Sequence, residues 1–234
     1  MQKNTIEWCR NPDGSQGFSW NAIRGRCPVR CSLPDGRVYC YGHKHYDLRP
    51  WLEEGIGSGP GCLMNHEVSQ PVDRKKPAGI FVCSLFELFY PGIEWYRDVI
   101  FHTIKQCPQH RFYILTKFPQ NIDREIPDNV WLGVSVTEPS DMLRTFRLGE
   151  KTAKVRFVSI EPYLEKVDPY LIHHSCNWII VGRLTQHGNK YNPPKEWIER
   201  LVVKARDREI PIFMKNNLRS IWGEDLIQEF PEGR

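Results

Sequence analysis

From Ile80 onward the chain alternates short apolar runs with polar turns and longer segments whose apolar residues recur at helical spacing. The runs are Gly79–Cys83 (GIFVC), Phe112–Thr116 (FYILT), Val130–Val136 (VWLGVSV), Val155–Ile160 (VRFVSI), Trp178–Gly182 (WIIVG) and Pro211–Lys215 (PIFMK). They are apolar nearly throughout, which predicts parallel strands covered on both faces rather than the alternation of a half-solvated sheet. Between them, Ile93–Gln106 carries Ile93, Tyr96, Ile100 and Ile104 along an approximate helical stripe. Pro194–Arg208 opens with a proline suited to a first turn and places Trp197, Ile198, Leu201, Val202 and Ala205 on one face. Asp141–Gly149 and Leu218–Glu229 carry a weaker helical pattern. Six strand–helix units predict a parallel α/β architecture, a βα barrel or an open doubly wound sheet, and a TIM-like barrel is the expected fold.

The first 79 residues read differently. They hold the turn formers NPDG, LPDG and GIGSGPG, five of the eight cysteines, and only short strand-like pieces such as Gly17–Ile23. With no evident linker, the expectation is one domain over residues 1–234, in which 1–79 form a cysteine-rich first strand, loop and cap. Composition then removes several classes. Twenty-eight aromatic residues (8 Trp, 9 Tyr, 11 Phe) are too many for a solvated coil. No apolar run approaches the ~18 residues of a membrane span, and the amino end MQKNTIEWCRNPDG lacks the apolar stretch of a secretory signal. The expectation is a cytoplasmic protein with no membrane partner. A net charge of +4 permits nucleic-acid contact without arguing for it. In a reducing compartment, clustered cysteines point to metal binding or catalysis rather than to disulfides.

Cys27, Cys31 and Cys40 lie within fourteen residues. Three cysteines can hold a [4Fe–4S] cluster at three irons and leave the fourth open. They can equally bind zinc, with His43, His45 or a further cysteine such as Cys9 or Cys62 closing a four-coordinate site. Pro34-Asp35-Gly36 is a turn signal that predicts a hairpin between Cys31 and Cys40, returning Cys40 toward the other two. Spacing alone leaves iron–sulfur and zinc both open. Cys107 and Cys176 are expected to be packing residues.

The order Trp20-Asn21, Gly25, Cys27, Cys31, Cys40-Tyr41 continues through VCSLFELF at 82–89, ILTKFP at 114–119, NVWLGVSV at 129–136, RFVSIEP at 156–162, WIIVG at 178–182 and IPIFMKN at 210–216. This series resembles an uncharacterised family frequently encoded in phages and prophages. Its members are similar to radical SAM proteins, and many carry a Cys-x3-Cys-x2-Cys-Tyr-Ala motif. The resemblance implies a partial or complete radical SAM-type βα barrel and a [4Fe–4S] cluster in the loop after the first strand, with Cys27, Cys31 and Cys40 as ligands. It further implies S-adenosylmethionine as cofactor, an external electron donor and, for a phage-encoded chain, a bacterial host cytoplasm. This sequence departs from the motif in the eight residues between Cys31 and Cys40, in Gly42 after Cys40-Tyr41, and in Arg183-Leu184, where the family continues with a glycine and an acidic residue.

In parallel βα folds the site lies at the carboxyl ends of the strands. Those ends carry Ser84 and Glu87, Thr116 and Lys117, Ser135, Ser159 and Glu161, Arg183, and Lys215 and Asn216. Lys117 and Glu161 are the catalytic candidates: Pro162 holds the backbone before it extended, and an ammonium at a strand end can meet a carboxylate or phosphate. Ser84, Glu87, Thr116, Ser135, Ser159 and Lys215 are the cofactor-binding candidates. The resemblance implies contacts from such groups to S-adenosylmethionine or the substrate. Arg24, Arg26, Arg30 and Arg37 around the cysteines, with Tyr39, Tyr41 and the run Arg74-Lys75-Lys76, suggest a nucleic-acid or nucleotide substrate. His173-His174 are expected at a helix carboxyl end. The alternative function is a non-catalytic, zinc-containing, nucleic-acid-associated barrel protein. A metal-free hydrolase or lyase would need a nucleophile–base pair that the sequence does not offer.

Overall fold

The structure, a computed structural model, describes residues 1–56, 60–172 and 176–231; His173 and His174 lie outside the described residues. The described residues form ten strands: β1 (Gln2–Lys3), β2 (Phe18–Trp20), β3 (Ile23–Arg24), β4 (Cys62–Leu63), β5 (Gly79–Val82), β6 (Arg111–Thr116), β7 (Val130–Ser135), β8 (Val155–Ile160), β9 (Trp178–Val181) and β10 (Ile212–Met214). The helices are α1 (Tyr41–Asp47), α2 (Asn65–Val68), α3 (Gln70–Asp73), α4 (Glu94–Lys105), α5 (Leu143–Gly149), α6 (Pro169–Ile172), α7 (Lys195–Asp207) and α8 (Arg219–Trp222). None of the described helices is long and apolar enough to cross a membrane.

The fold is mixed α/β, with a mostly parallel eight-stranded sheet of order β1-β2-β5-β6-β7-β8-β9-β10 and a separate β3-β4 pair. β1 runs antiparallel to β2, whereas β2/β5, β5/β6, β7/β8, β8/β9 and β9/β10 are parallel. All six predicted strands are present to within about one residue at each end, because runs buried on both faces leave little ambiguity about where a strand begins and stops. The chain divides into two compact units, residues 1–5 with 9–114, and 6–8 with 115–234.

In the first unit, Ile80, Phe81 and Val82 of β5 are buried, and Trp20 packs its ring 6.1 Å from that of Phe112. α4 buries Ile100, Phe101 and Ile104, along with Arg97. The Arg97 guanidinium is accommodated by the Leu88 and Tyr90 carbonyls.

The second unit is organised around Trp178 on β9. Rings of Trp8, Trp131, Phe157, Phe213 and Phe230 surround it at 5.5–6.4 Å. Its indole N–H donates to the Glu229 carbonyl at 2.9 Å. α7 turns Ile198, Leu201 and Ala205 inward, as its stripe predicts, with Trp197 and Val202 half-buried. The segment Leu218–Glu229 differs from the expected helix. Helix α8 stops at Trp222, and the chain returns antiparallel to β10, with Phe213 bridged to Gln228 and the Met214 N–H donating to the Ile227 carbonyl at 2.7 Å. The physical reason is the open edge of β10: its unpaired N–H and C=O groups gain partners from an extended segment that a helix would not supply.

Candidate functional site

Two groupings of chemistry-bearing side chains emerge, one inside each unit. In the first unit the cysteine loop follows β3. The Gly25 N–H donates to the Tyr46 hydroxyl at 2.7 Å, tying the start of the loop to α1. Between Cys31 and Cys40 the predicted hairpin is formed. Ser32 bridges Val38, Leu33 N–H donates to the Arg37 carbonyl at 2.9 Å, and Gly36 N–H donates to the Leu33 carbonyl at 2.8 Å. Tyr39 N–H closes the base by donating to the Cys31 carbonyl at 3.1 Å. Leu33 is buried beneath the turn.

This hairpin delivers Cys40 to Cys31. The Cys31 thiol hydrogen-bonds the Cys40 sulfur, and the N–H groups of His43 and Gly42 add to it; together they outweigh burial and bring the Cys40 thiol down to about 5. Cys27 lies in its electrostatic range: burial pushes the Cys27 thiol up to about 11, and the charges of Cys40 and Glu87 push in the same direction. Glu87 is itself buried and accepts the Phe89 N–H at 3.1 Å. Cys27, Cys31, Cys40 and Glu87 thus share one neighbourhood.

The loop after β5 is pinned to this region by Asn21, whose side-chain oxygen accepts from the Ser84 hydroxyl and the Leu85 N–H, each at 3.2 Å. Gly42 explains the departure from Cys-Tyr-Ala. A Cβ there would stand 2.9 Å from the Leu85 carbonyl oxygen, so an alanine does not fit against this loop.

The other metal-ligand candidates divide. The His43 Nε2 lies 2.9 Å from the Cys27 carbonyl. A carbonyl only accepts, so Nε2 carries a proton. The His45 Nδ1 instead faces the Arg49 guanidinium at 3.3 Å. Cys9 is fully buried, with its sulfur 3.7 Å from the Phe18 carbonyl, and burial pushes it up to about 12. Cys62 is half-buried on β4, against the Leu63 carbonyl. Cys107 and Cys176 are buried, consistent with packing.

Among the described residues, no group of three or more His, Cys, Asp or Glu side chains is arranged to hold a metal ion. The close contact is the Cys31–Cys40 pair, with Cys27 coupled through charge. The donor chemistry suits a thiolate-bound metal or cluster: cysteines bind metal as thiolates, the Cys40 thiol is the one held below its ordinary value, and Cys27 would lose its proton on binding.

In the second unit the grouping lies at the ends of β8, β9 and β10. Glu161 and Lys215 form an ion pair through Oε1 and Nζ, with both side chains about three-quarters or more buried. Gly182 ends β9 between them. A Cβ at Gly182 would meet the Lys215 Cδ at 3.0 Å and the Glu161 Cδ at 3.1 Å, so the glycine makes room for the pair. The Glu161–Pro162 peptide bond is cis.

Other strand-end residues are spent locally. The Thr116 hydroxyl accepts the Phe118 N–H at 2.9 Å, and Lys117 is half-buried in the same turn. Ser135 and Ser159 are register partners on β7 and β8, both buried. Arg183 closes its own loop. Its N–H donates to the Asn217 side-chain oxygen at 3.1 Å, its carbonyl accepts from the Asn217 amide at 3.0 Å, and its guanidinium reaches Leu184 and Asn192. Asn216 N–H donates to the Glu7 carboxylate.

Residues 3–229 match a family described as protein of unknown function, DUF5131. The chain belongs to this family. No curated protein and no solved structure matches it.

In this DUF5131 chain the structure brings together Cys27, Cys31, Cys40 and Glu87 in one unit, and Glu161 with Lys215 in the other. It does not draw Thr116, Ser135 or Ser159 into either grouping. Two organising groups were not among the site candidates read from the sequence. One is Asn21, visible as a lone amide directly after β2. The other is Asp141, a buried carboxylate that accepts the Thr137 N–H and hydroxyl at 2.9 Å each and pairs with Arg144 at 2.7 Å. Its signal is Thr137, Asp141 and Arg144 following the end of β7, a spacing that closes a local turn.

Proposed function

We propose that the protein is a radical SAM-like iron–sulfur enzyme in which Cys27, Cys31 and Cys40 hold a [4Fe–4S] cluster. The observation that carries this reading is the hairpin that returns Cys40 to Cys31, which offsets the eight-residue separation in sequence. When bound, such a cluster supplies one electron for reductive cleavage of S-adenosylmethionine. The rest of the reading falls to the chain's own residues. Glu161 and Lys215 offer a carboxylate and an ammonium side by side, a match for a ligand carrying both charges. Ser84, Glu87, Thr116, Ser135 and Ser159 form or support the strand ends, and Lys117 supplies a further cation. The reading includes a complete or partial βα barrel, a nucleic-acid or nucleotide substrate, an external electron donor, and a phage or prophage origin in a bacterial cytoplasm.

One observation favours a second reading, a non-catalytic zinc protein. The His43 Nε2 is held by a backbone carbonyl and His43 acts electrostatically on Cys40; in this reading Nδ1 would be the ligating nitrogen, the arrangement typical of a zinc-bound histidine. Cys27, Cys31, Cys40 and His43 would then be a closed four-ligand set.

Anaerobic purification with iron, sulfide and zinc analysis separates the two. The first reading expects a brown protein with about four irons per chain, lost in Cys31→Ala. A colourless protein holding about one zinc, released in His43→Ala, overturns it.

A further inference from the structure

Eight large apolar side chains are conspicuously exposed among the described residues, and three of them, Tyr41, Leu48 and Trp51, fall within eleven positions at 70%, 72% and 57% exposure. Isolated exposed apolar groups are ordinary, but a run of them on one short helix and the turn after it is not. Flat groups on this helix follow one another. The Tyr41 and His45 rings are 6.3 Å apart between centroids, and Arg49 reaches back to the His45 Nδ1 at 3.3 Å. Phenol, imidazole and guanidinium therefore form a ladder at four-residue spacing. Trp51 follows on the short 3-10 turn Pro50–Glu53 that continues from it.

Both signs of charge stand beside the ladder, Asp47, Glu53 and Glu54 with Arg26, Lys44 and Arg49. Arg26 holds Asp47 at 2.6 Å and Glu53 at 2.9 Å, so two of the nearby carboxylates are answered within the protein. Lys44 and Arg49 add positive charge on α1 and just beyond it.

We propose that the exposed face of α1 and the following turn, carried by Tyr41, His45, Arg49 and Trp51, is a binding surface for single-stranded nucleic acid. Unstacked bases would lie on Tyr41 and Trp51 while the phosphates meet Lys44 and Arg49. That combination of aromatic platforms and cations is how single strands are bound without reading sequence. Duplex bases are stacked on one another and cannot use the platforms. The proposal takes only the class of substrate from the proposed function; it does not depend on the cluster.

The test is fluorescence anisotropy of the full chain with labelled oligo-dT, oligo-rU and a duplex of equal length. The expected result is tighter binding of a single strand than of the duplex, weakening as salt rises, with the dT and rU arms separating DNA from RNA. Tyr41→Ala and Trp51→Ala should each weaken binding roughly 5- to 150-fold, while Tyr41→Phe keeps the affinity because the ring face remains. Trp95→Ala, which removes a tryptophan 63% exposed on α4, should leave it unchanged. No binding, a preference for duplex, or equal affinity in Tyr41→Ala and Trp51→Ala overturns the proposal. Iron analysis of the same unsubstituted preparation distinguishes the failures. Protein that holds no iron but still binds the single strand defeats only the enzyme reading, and iron-loaded protein that does not bind defeats only this one.

Discussion

The two units hold their chemistry in place by different physical means. In the unit containing residues 115–234, Glu161 and Lys215 stand at the ends of strands whose residues are buried on both faces, beside a cluster of rings centred on Trp178. Their positions are inherited from apolar packing that is indifferent to any one polar contact. In the unit containing residues 9–114, Cys27, Cys31 and Cys40 sit on turns and at the start of a seven-residue helix. There, single hydrogen bonds from Asn21, Tyr46 and the hairpin backbone do the positioning. A site built the first way is rigid because its scaffold is; a site built the second way is as secure as its weakest clamp.

The largest expected effect tests the packed unit. Phe157 is fully buried against Trp8 and Trp178, so Phe157→Ala should cost about 3–5 kcal/mol in denaturant unfolding. A loss below about 1 kcal/mol would mean that the ring cluster does not organise this unit. The clamped unit predicts a smaller effect from far fewer atoms. Asn21→Ala strips an acceptor from the Ser84 hydroxyl and the Leu85 N–H and should cost about 1–3 kcal/mol. Asn21→Asp keeps the acceptor and should recover most of it. If alanine and aspartate behave alike, Asn21 is not the clamp.

The last effect is a pH dependence, tested by its sign rather than its size. In the metal-free protein the Cys40 thiol stands at about 5, against an ordinary value of 9.0. Between those values the unfolded chain holds a proton that the folded chain has released, so stability rises with pH across the interval. The contribution is complete above the ordinary value and is lost as pH falls through about 5. Subtracting the pH–stability profile of Cys40→Ser from that of the parent should leave this rise alone. A flat difference would show that Cys31 and the neighbouring N–H groups do not stabilise the thiolate.

The same contrast explains what could be read from the sequence. Val155–Ile160 was predicted to the residue, and the other strands nearly so, because continuous burial writes itself into composition. The hairpin was legible from Pro34-Asp35-Gly36, a local signal. The segment after Trp222 was not, because its extended course is imposed by the open edge of β10, where Phe213 stands opposite Gln228, a partner that no local pattern announces. At the candidate sites, the residue types were legible but their employment was not. Thr116 and Arg183 carry the right chemistry at the right strand ends, yet each satisfies a nearby backbone group, and that competition is settled only by loop geometry. The Glu161–Lys215 pair required knowing that β8 and β10 flank β9 and that Gly182 leaves the space between them.

The hairpin between Cys31 and Cys40 also makes part of the chain a graftable finger. The base of an antiparallel hairpin stays closed whatever its height, so matched additions on its two strands lengthen it without parting the sulfurs below, whereas a single added residue would slip the register. The exposed tip at Asp35-Gly36 is therefore the point in this region where foreign sequence, a fluorophore tag or a crosslinker can be inserted while Cys31 and Cys40 remain neighbours.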